Sequence, residues 1–337
     1  MNQTIAVVHN AVKDSSLPDE QDVLIQVEVV STALMALGYK AAPLPCDLDL
    51  ENLKSRLITL GPIAVFNLVE SLDGHGRLIN VVPTLLDALG IPYTGCPAEA
   101  ILATSHKVMA KERMKAVGLP TPDWINPVPQ DIPWAGGTGF EDPHERVWII
   151  KSLWEHASIG LEKENLVQGT AKEIHGLLSG CKPGLGGACF AEAFIEGREF
   201  NLSLLDTKNG VRILPPAEIL FQGFEADTPK IVGYRAKWMA DSAEYNNTPR
   251  CFDFLSADKD LLSTLENLAL RCWQNFGLKG YARVDFRVDD RGRPFILEIN
   301  ANPCVSPDAG FAAALSRAGI SYSFAVEQIL KTAFTEP

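Results

Sequence analysis

No two of the seven cysteines stand at CxxC spacing, and no histidine falls at zinc-finger distance from them. Their number is odd and Cys181 and Cys189 are the closest pair, so zinc modules and a disulfide-stapled framework are set aside. A reducing, cytoplasmic compartment is the expectation. No stretch reaches the ~20 apolar residues of a membrane span. The opening MNQTIAVVHNAV has neither a basic n-region nor a small-residue cleavage site, and it reads as a first β-strand. Positive charge is in deficit: 30 Lys and Arg face 42 Asp and Glu, a net charge of -12. That argues against nucleic acid or an anionic membrane as partner. Walker A and dinucleotide fingerprints are missing, as are internal repeats and low-complexity tracts.

What is present is a soluble globular chain of 337 residues, 46% hydrophobic and 21% charged, long enough for two or three domains. Residues 4–9 (TIAVVH) read as a buried strand and 20–37 as a helix ending at Gly38. Strands follow near 39–44 and 63–68, then a helix at 77–89 and a strand at 91–94. This alternation predicts an α/β unit with a mostly parallel sheet over residues 1–95. A helix is expected from Ser105 to Val117. Residues 120–143 are dense in Pro and Gly, and the strand VWIIKS and loop EHASIG come next, in a middle unit spanning 96–185. The last unit, 186–337, opens with strand, bend and strand at 187–205. It continues with a helix at 257–276, a hairpin at 281–303 and a helix at 322–334.

The hairpin YARVDFRVDDRGRPFILEINANP carries charge where an ordinary hairpin would not. If it folds about Arg291–Gly292, Asp285 faces Glu298 and Arg283 faces Asn300, all four on one side of the sheet. Val284, Phe286, Leu297 and Ile299 then form the core side. Two opposed carboxylates repel unless a cation lies between them, and two carboxylates with an amide oxygen are hard ligands of the kind Mg²⁺ prefers. Arg283 cannot ligate a metal but suits a phosphate or developing oxyanion beside one. The competing reading is a solvated face with a cross-strand ion pair.

Three lysines and two acids are weaker signals individually. Lys151 ends an apolar strand before a small-residue loop, a placement that suits phosphate; an ordinary surface lysine is the alternative. Lys107 begins a helix, and Lys237 lies in GYRAKW. Glu192 and Glu199 flank a bend at Gly197, where carboxylates would accept from an adenine amino group or ribose hydroxyls while the backbone around Phe194 reads the adenine edge. Two exposed acids beside a turn is the plainer alternative.

Taken in order and spacing, Lys107, Lys151, Glu192, Glu199, Lys237 and the Arg283–Asn300 hairpin resemble the ATP-grasp ligases, and most closely the D-alanine–D-alanine ligase group. GIPYTG, the helix containing HK at 106–107, ARVDF and LEINANP are the signposts, and the resemblance runs from IAVVH to the last helix. It implies an ATP-grasp fold of class α/β (α+β): an N-terminal parallel-sheet domain, a central lid and a C-terminal mixed-sheet domain. ATP would lie between the last two. Lys107 and Lys151 would meet phosphates, Glu192 the adenine, Glu199 the ribose and Lys237 the γ-phosphate. Asp285, Glu298 and Asn300 would hold two Mg²⁺ ions, with Mn²⁺ as the alternative, and Arg283 would balance the charge of phosphoryl transfer. The substrates would be small and amino-acid-like, joined through an acylphosphate, and a homodimer is common in that family.

Several positions depart from the family pattern. Glu20 aligns with the acid that holds the first substrate's amino group, but HNAVKDSS replaces the usual glycine-rich turn before it. Glu70 stands where a His is common. In the lid loop the usual serine pair is Ala157–Ser158, leaving Ser158 as the catalytic candidate. Trp238 replaces a Tyr. After LEINANP, Cys304 replaces a Gly, and Asp308 or Ala309 falls near the Ser that would hold the second substrate's carboxylate. An Asp there either meets an amine or caps the helix FAAALSRAG, and the cap is the expectation.

Overall fold

The computed structural model describes residues 3–13, 17–126, 144–155, 158, 160–178, 180, 188–225 and 228–335. Most of the Pro/Gly-rich stretch and Ala157 of the lid loop therefore lie outside the described residues. The chain begins with β1 (Thr4–Asn10), α1 (Pro18–Ala36), β2 (Lys40–Cys46), α2 (Leu50–Leu60), β3 (Ala64–Leu68) and α3 (Val81–Leu89). The three strands form a parallel sheet in the order β2-β1-β3. Its central strand reads IAVVH without alternation because both faces are covered, and Ile5 through Val8 are fully buried. The strand expected at 91–94 shrinks to a single parallel bridge from Tyr93 to Val65.

The expected helix from Ser105 is two helices, α4 (Ala98–Ser105) and α5 (Lys107–Ala116). His106 separates them in an extended conformation, and its Nδ1 accepts from the Met109 N–H at 3.0 Å, capping the second helix. That break sets Lys107 at the first position of α5.

A second, antiparallel sheet holds β4 (Trp124–Ile125), β5 (Arg146–Ser152), β6 (Leu166–Gly169) and β7 (Cys189–Ala193) in the order β4-β7-β5-β6, backed by α6 (Ala171–Leu178). Strand β7 pairs here, so this sheet runs past the expected division at 186. Cys189 is disulfide-bonded, which the expected reducing compartment does not call for.

The third sheet contains β8 (Arg198–Thr207), β9 (Gly210–Ile213), β10 (Ala217–Ile219), β11 (Arg250–Cys251), β12 (Tyr281–Val288) and β13 (Pro294–Asn300). Its order is β11-β10-β8-β12-β13, with β9 on β8. Every pairing is antiparallel, not mixed. Such a sheet can bury one face and leave the other polar, and that division positions the site. Short helices α7 (Tyr234–Trp238) and α8 (Ala243–Asn246) precede β11. Helices α9 (Lys259–Phe276), α10 (Gly310–Arg317) and α11 (Tyr322–Thr332) complete the chain. Beneath the sheet, Val284, Phe286 and Ile299 pack with Ile101, Met114, Leu268, Cys272 and Phe276 from α4, α5 and α9. Each such burial contributes ~2 kcal/mol. A second core joins α1 and β1 to Tyr281, Phe311 and α11, fixing the N-terminal sheet against the C-terminal helices.

Candidate active site

The hairpin register places Arg283 opposite Asn300 and Asp285 opposite Glu298, as the alternation predicts. It does so by a route the sequence does not show. The turn spans Asp289–Arg293, whose first residue's carboxylate accepts from the N–H of Arg291 at 3.0 Å and of Arg293 at 2.8 Å. Beyond Asp285 the register shifts, and Phe286 faces Ile296. The extra residue, Leu297, was expected on the core side; the bulge turns it to the polar face, where it lines a cavity.

The carboxylate pair is not bare. Arg283 donates to Asp285 through Nε and Nη2 at 2.7 and 2.8 Å. Asn201 donates to Asp285 at 2.8 Å, and Asn300 donates to Asp285 at 3.2 Å and to Glu298 at 3.4 Å. The argument that the two acids require a cation is therefore corrected: a guanidinium and two amides already offset their repulsion. Asn201 escaped the sequence reading although its signal is there. Glu199, Asn201 and Ser203 alternate along β8 and face Arg287, Asp285 and Arg283.

Two cavities meet at this face. The smaller, about 100 Å³, is walled by Lys107, Lys151, Glu192, Phe194, Glu199, Lys237, Arg287 and Leu297, with Ser158 at its edge. The larger, about 430 Å³, is walled by Asp22, Glu70, Trp238, Arg250, Arg283, Asn300, Cys304 and Asp308. Glu199, Lys237, Asp285 and Glu298 line both. The structure thus gathers all the expected lysines, the two glutamates and the hairpin set. Glu20 does not line either cavity. Its carboxylate accepts from the Leu17 N–H at 3.2 Å and closes the start of α1, while Asp22 faces the larger cavity.

Glu192 is engaged from within the protein: its carboxylate is buried between Lys151 at 2.7 Å and Lys111 at 2.5 Å, at the wall of the smaller cavity. Burial alone would raise this carboxyl, but the two ammonium groups hold it below the usual range. Lys111 was missed because a lysine on an amphipathic helix reads as solvated. Lys107 donates to the Glu155 carbonyl at 2.5 Å, and burial, reinforced by the charges of Lys151 and Lys237, brings it down to about 8. Burial raises Glu199, against the pull of Arg287 at 2.9 Å. Ser158, at φ 60°, donates to the Val232 carbonyl at 2.9 Å and so joins the lid loop to the segment before α7. The site thus has a cationic cleft beside an acidic, amide-rich wall, an arrangement suited to a polyphosphate.

A family model described as the D-ala D-ala ligase C-terminus matches residues 114–331. A D-alanine–D-alanine ligase of Albidiferax ferrireducens is 30% identical over 319 residues, 92% of this chain and 82% of that protein. The chain belongs to the D-alanine–D-alanine ligase family. Another such ligase, of Carboxydothermus hydrogenoformans, is 29% identical over 326 residues, 93% of this chain and 94% of that one. The D-alanine–D-alanine ligase of Bacillus anthracis, solved in complex with ATP, shares the fold with a TM-score of 0.72 at 20% identity, covering 98% of this chain and 97% of that one. The protein is an ATP-dependent ligase that forms C–N bonds.

The wall of the larger cavity is held by its own hydrogen-bond network. Asp22 accepts from Ser306 Oγ at 2.8 Å, from the Cys304 thiol at 3.0 Å and from Gln26 at 3.1 Å; Gln26 also donates to Glu70 at 2.9 Å. Burial raises the Glu70 carboxyl to about 7 and holds the Cys304 thiol well above its ordinary range. Asp308 does not cap α10, contrary to expectation. The N-cap is Ala309, without a side-chain bond, because Arg250 Nη1 donates to the Asp308 carbonyl at 2.9 Å and fixes the chain one residue earlier. Among the described residues no helix is long and apolar enough to cross a membrane.

Proposed function

We propose that the protein uses ATP to activate one small amino-acid-like carboxylic acid as an acylphosphate and joins it to the amine of a second such molecule. The observation that carries this reading is the wall shared by the two cavities. Lys237, Asp285 and Glu298 line both, so a nucleotide in one would present its terminal phosphate to a carboxylate in the other. The donor carboxylate oxygen forms a bond to the γ-phosphorus as the bond to the bridging oxygen breaks, and ADP leaves. The amine nitrogen then attacks the acyl carbon, gives up a proton, and expels phosphate. Lys107, Lys151 and Lys237 would hold the phosphates, the backbone around Phe194 and Ile195 the adenine, and Glu199 the ribose. Arg283 would balance charge on the transferring group, since such chemistry rests on positioning and electrostatics.

Asp285, Glu298 and Asn300 fit a magnesium or manganese ion by donor chemistry, being hard oxygens on one wall. Phosphate oxygens and water would supply the remaining ligands of such ions. Bound there, two divalent cations would neutralise charge on the phosphates. A cytoplasmic, homodimeric enzyme is the setting the reading implies. Asp308 and Arg250 line the same cavity, a carboxylate that would repel an acceptor's carboxylate beside a guanidinium that would hold it. A ligase whose acceptor is not D-alanine is therefore the alternative reading, and the substrate panel separates the two.

ADP release measured with a panel of amino acids and amines tests the function. One donor–acceptor pair is expected to trigger turnover, and Glu298→Gln to reduce it more than ~100-fold with circular dichroism unchanged. Near-normal turnover in that variant would return the hairpin to a solvated sheet face.

A further inference from the structure

Arg287 is 4% exposed and stands directly opposite Glu199 across β12 and β8. Its Nη2 lies 2.9 Å from Glu199 Oε2, and its Nη1 donates to the Gly197 carbonyl at 3.0 Å. Nη2 also donates to the Lys230 carbonyl. The guanidinium lies over Phe194 at 5.8 Å and Phe221 at 5.4 Å. One buried cation therefore ties four things: an acid of the cavity wall, the bend between the second and third sheets, the segment leading to Lys237, and two aromatic rings. The bend itself tolerates no side chain, because a Cβ at Gly197 (φ 143°) would fall 2.0 Å from the Val288 carbonyl oxygen.

Glu199 offers one oxygen to Arg287. Its other oxygen, Oε1, has no protein partner among the described residues, and the residue lines both cavities. A carboxylate held on one side by a fixed guanidinium and open on the other is built to accept from a hydroxyl pair. We propose that Arg287 is the positioning residue for ribose recognition, fixing Glu199 in its charged, aimed state and fastening it to the bend at Gly197 and the segment at Lys230. The proposal rests on the ligase reading, in which the nucleotide fills this cavity. A buried ion pair that only stabilises the sheet is the competing account, and the two differ in what they do to nucleotides lacking a hydroxyl.

The test is nucleotide binding by calorimetry, together with steady-state kinetics, using ATP, 2′-deoxy-ATP and 3′-deoxy-ATP on wild type, Arg287→Met, Arg287→Lys and Glu199→Gln. Wild type is expected to bind at least one deoxynucleotide more weakly than ATP by on the order of 10- to 100-fold, the worth of a charge-assisted hydrogen bond. Arg287→Met should weaken ATP by a similar factor, raising KM far more than it lowers kcat, and should leave that deoxynucleotide nearly unchanged. Arg287→Lys keeps the charge but not the fork, and should fall between. Should Arg287→Met not fold, Arg287→Lys and Glu199→Gln carry the same comparison. An equal loss for ATP and for both deoxynucleotides overturns the proposal in favour of a structural pair, as does a wild type indifferent to both hydroxyls. Neither result touches the ligase reading, which fails separately if no donor and acceptor release ADP and ATP does not bind.

Discussion

Glu192→Gln separates a buried electrostatic anchor from an adenine contact. The substitution leaves Lys111, 1% exposed, without its counter-charge, facing only neutral acceptors such as the Thr121 hydroxyl at 2.7 Å. An unpaired buried ammonium either stays charged at several kcal/mol or gives up its proton. Starting from the ordinary lysine value of 10.5, deprotonation at pH 7 costs about 5 kcal/mol at ~1.4 kcal/mol per pH unit, and at pH 9 about 2 kcal/mol. The loss at pH 7 is bounded by that figure and matches the ~3–5 kcal/mol seen when one member of a buried pair is removed. Thermal unfolding followed by circular dichroism should show Tm lowered by on the order of 10 °C at pH 7 and by less than half of that at pH 9. Lys151 is 17% exposed and can turn to water, so it adds little. Adding Lys111→Met to Glu192→Gln removes the stranded charge and should recover most of the stability. A Glu192→Gln protein that melts like wild type, with only its KM for ATP raised, would refute this and return the carboxylate to the adenine.

ATP binding should be accompanied by proton uptake near pH 8, because burial brings Lys107 down to about 8 and a bound phosphate restores its ordinary value. Calorimetry in buffers of different ionisation enthalpy should show about half a proton taken up at pH 8, and Lys107→Met should abolish it. At the acceptor end, Arg250→Met is expected to raise KM about 10-fold or more for an acceptor bearing a carboxylate and to leave its amide unaffected. Asp308→Ser should lower KM for the same acceptor without destabilising α10, since Asp308 is not its cap; a loss of helix on that substitution would show the position misread.

The chemistry was legible wherever it follows a local period. Arg283, Asp285, Glu298 and Asn300 come together because strand alternation brings residues two apart to one face. The same rule held two unread signals, Arg287 on β12 and the Glu199–Asn201–Ser203 series on β8. What stayed hidden depends on contacts between segments far apart in the chain. Lys111 reads as solvated until Glu192, 81 residues on, arrives from β7. Asp308 has the preference of a helix cap, but Arg250, 58 residues earlier, holds its carbonyl and moves the cap to Ala309. The Leu297 bulge lies between these cases. The Asp289 bonds that set the turn are local, yet they alone would shift every partner by one and turn Glu298 toward the core. The bulge corrects the register before Asp285, so the buried side chains of Val284, Ile296 and Ile299 and the polar wall are satisfied together. Burial of that core, rather than the turn, decides where the two carboxylates stand.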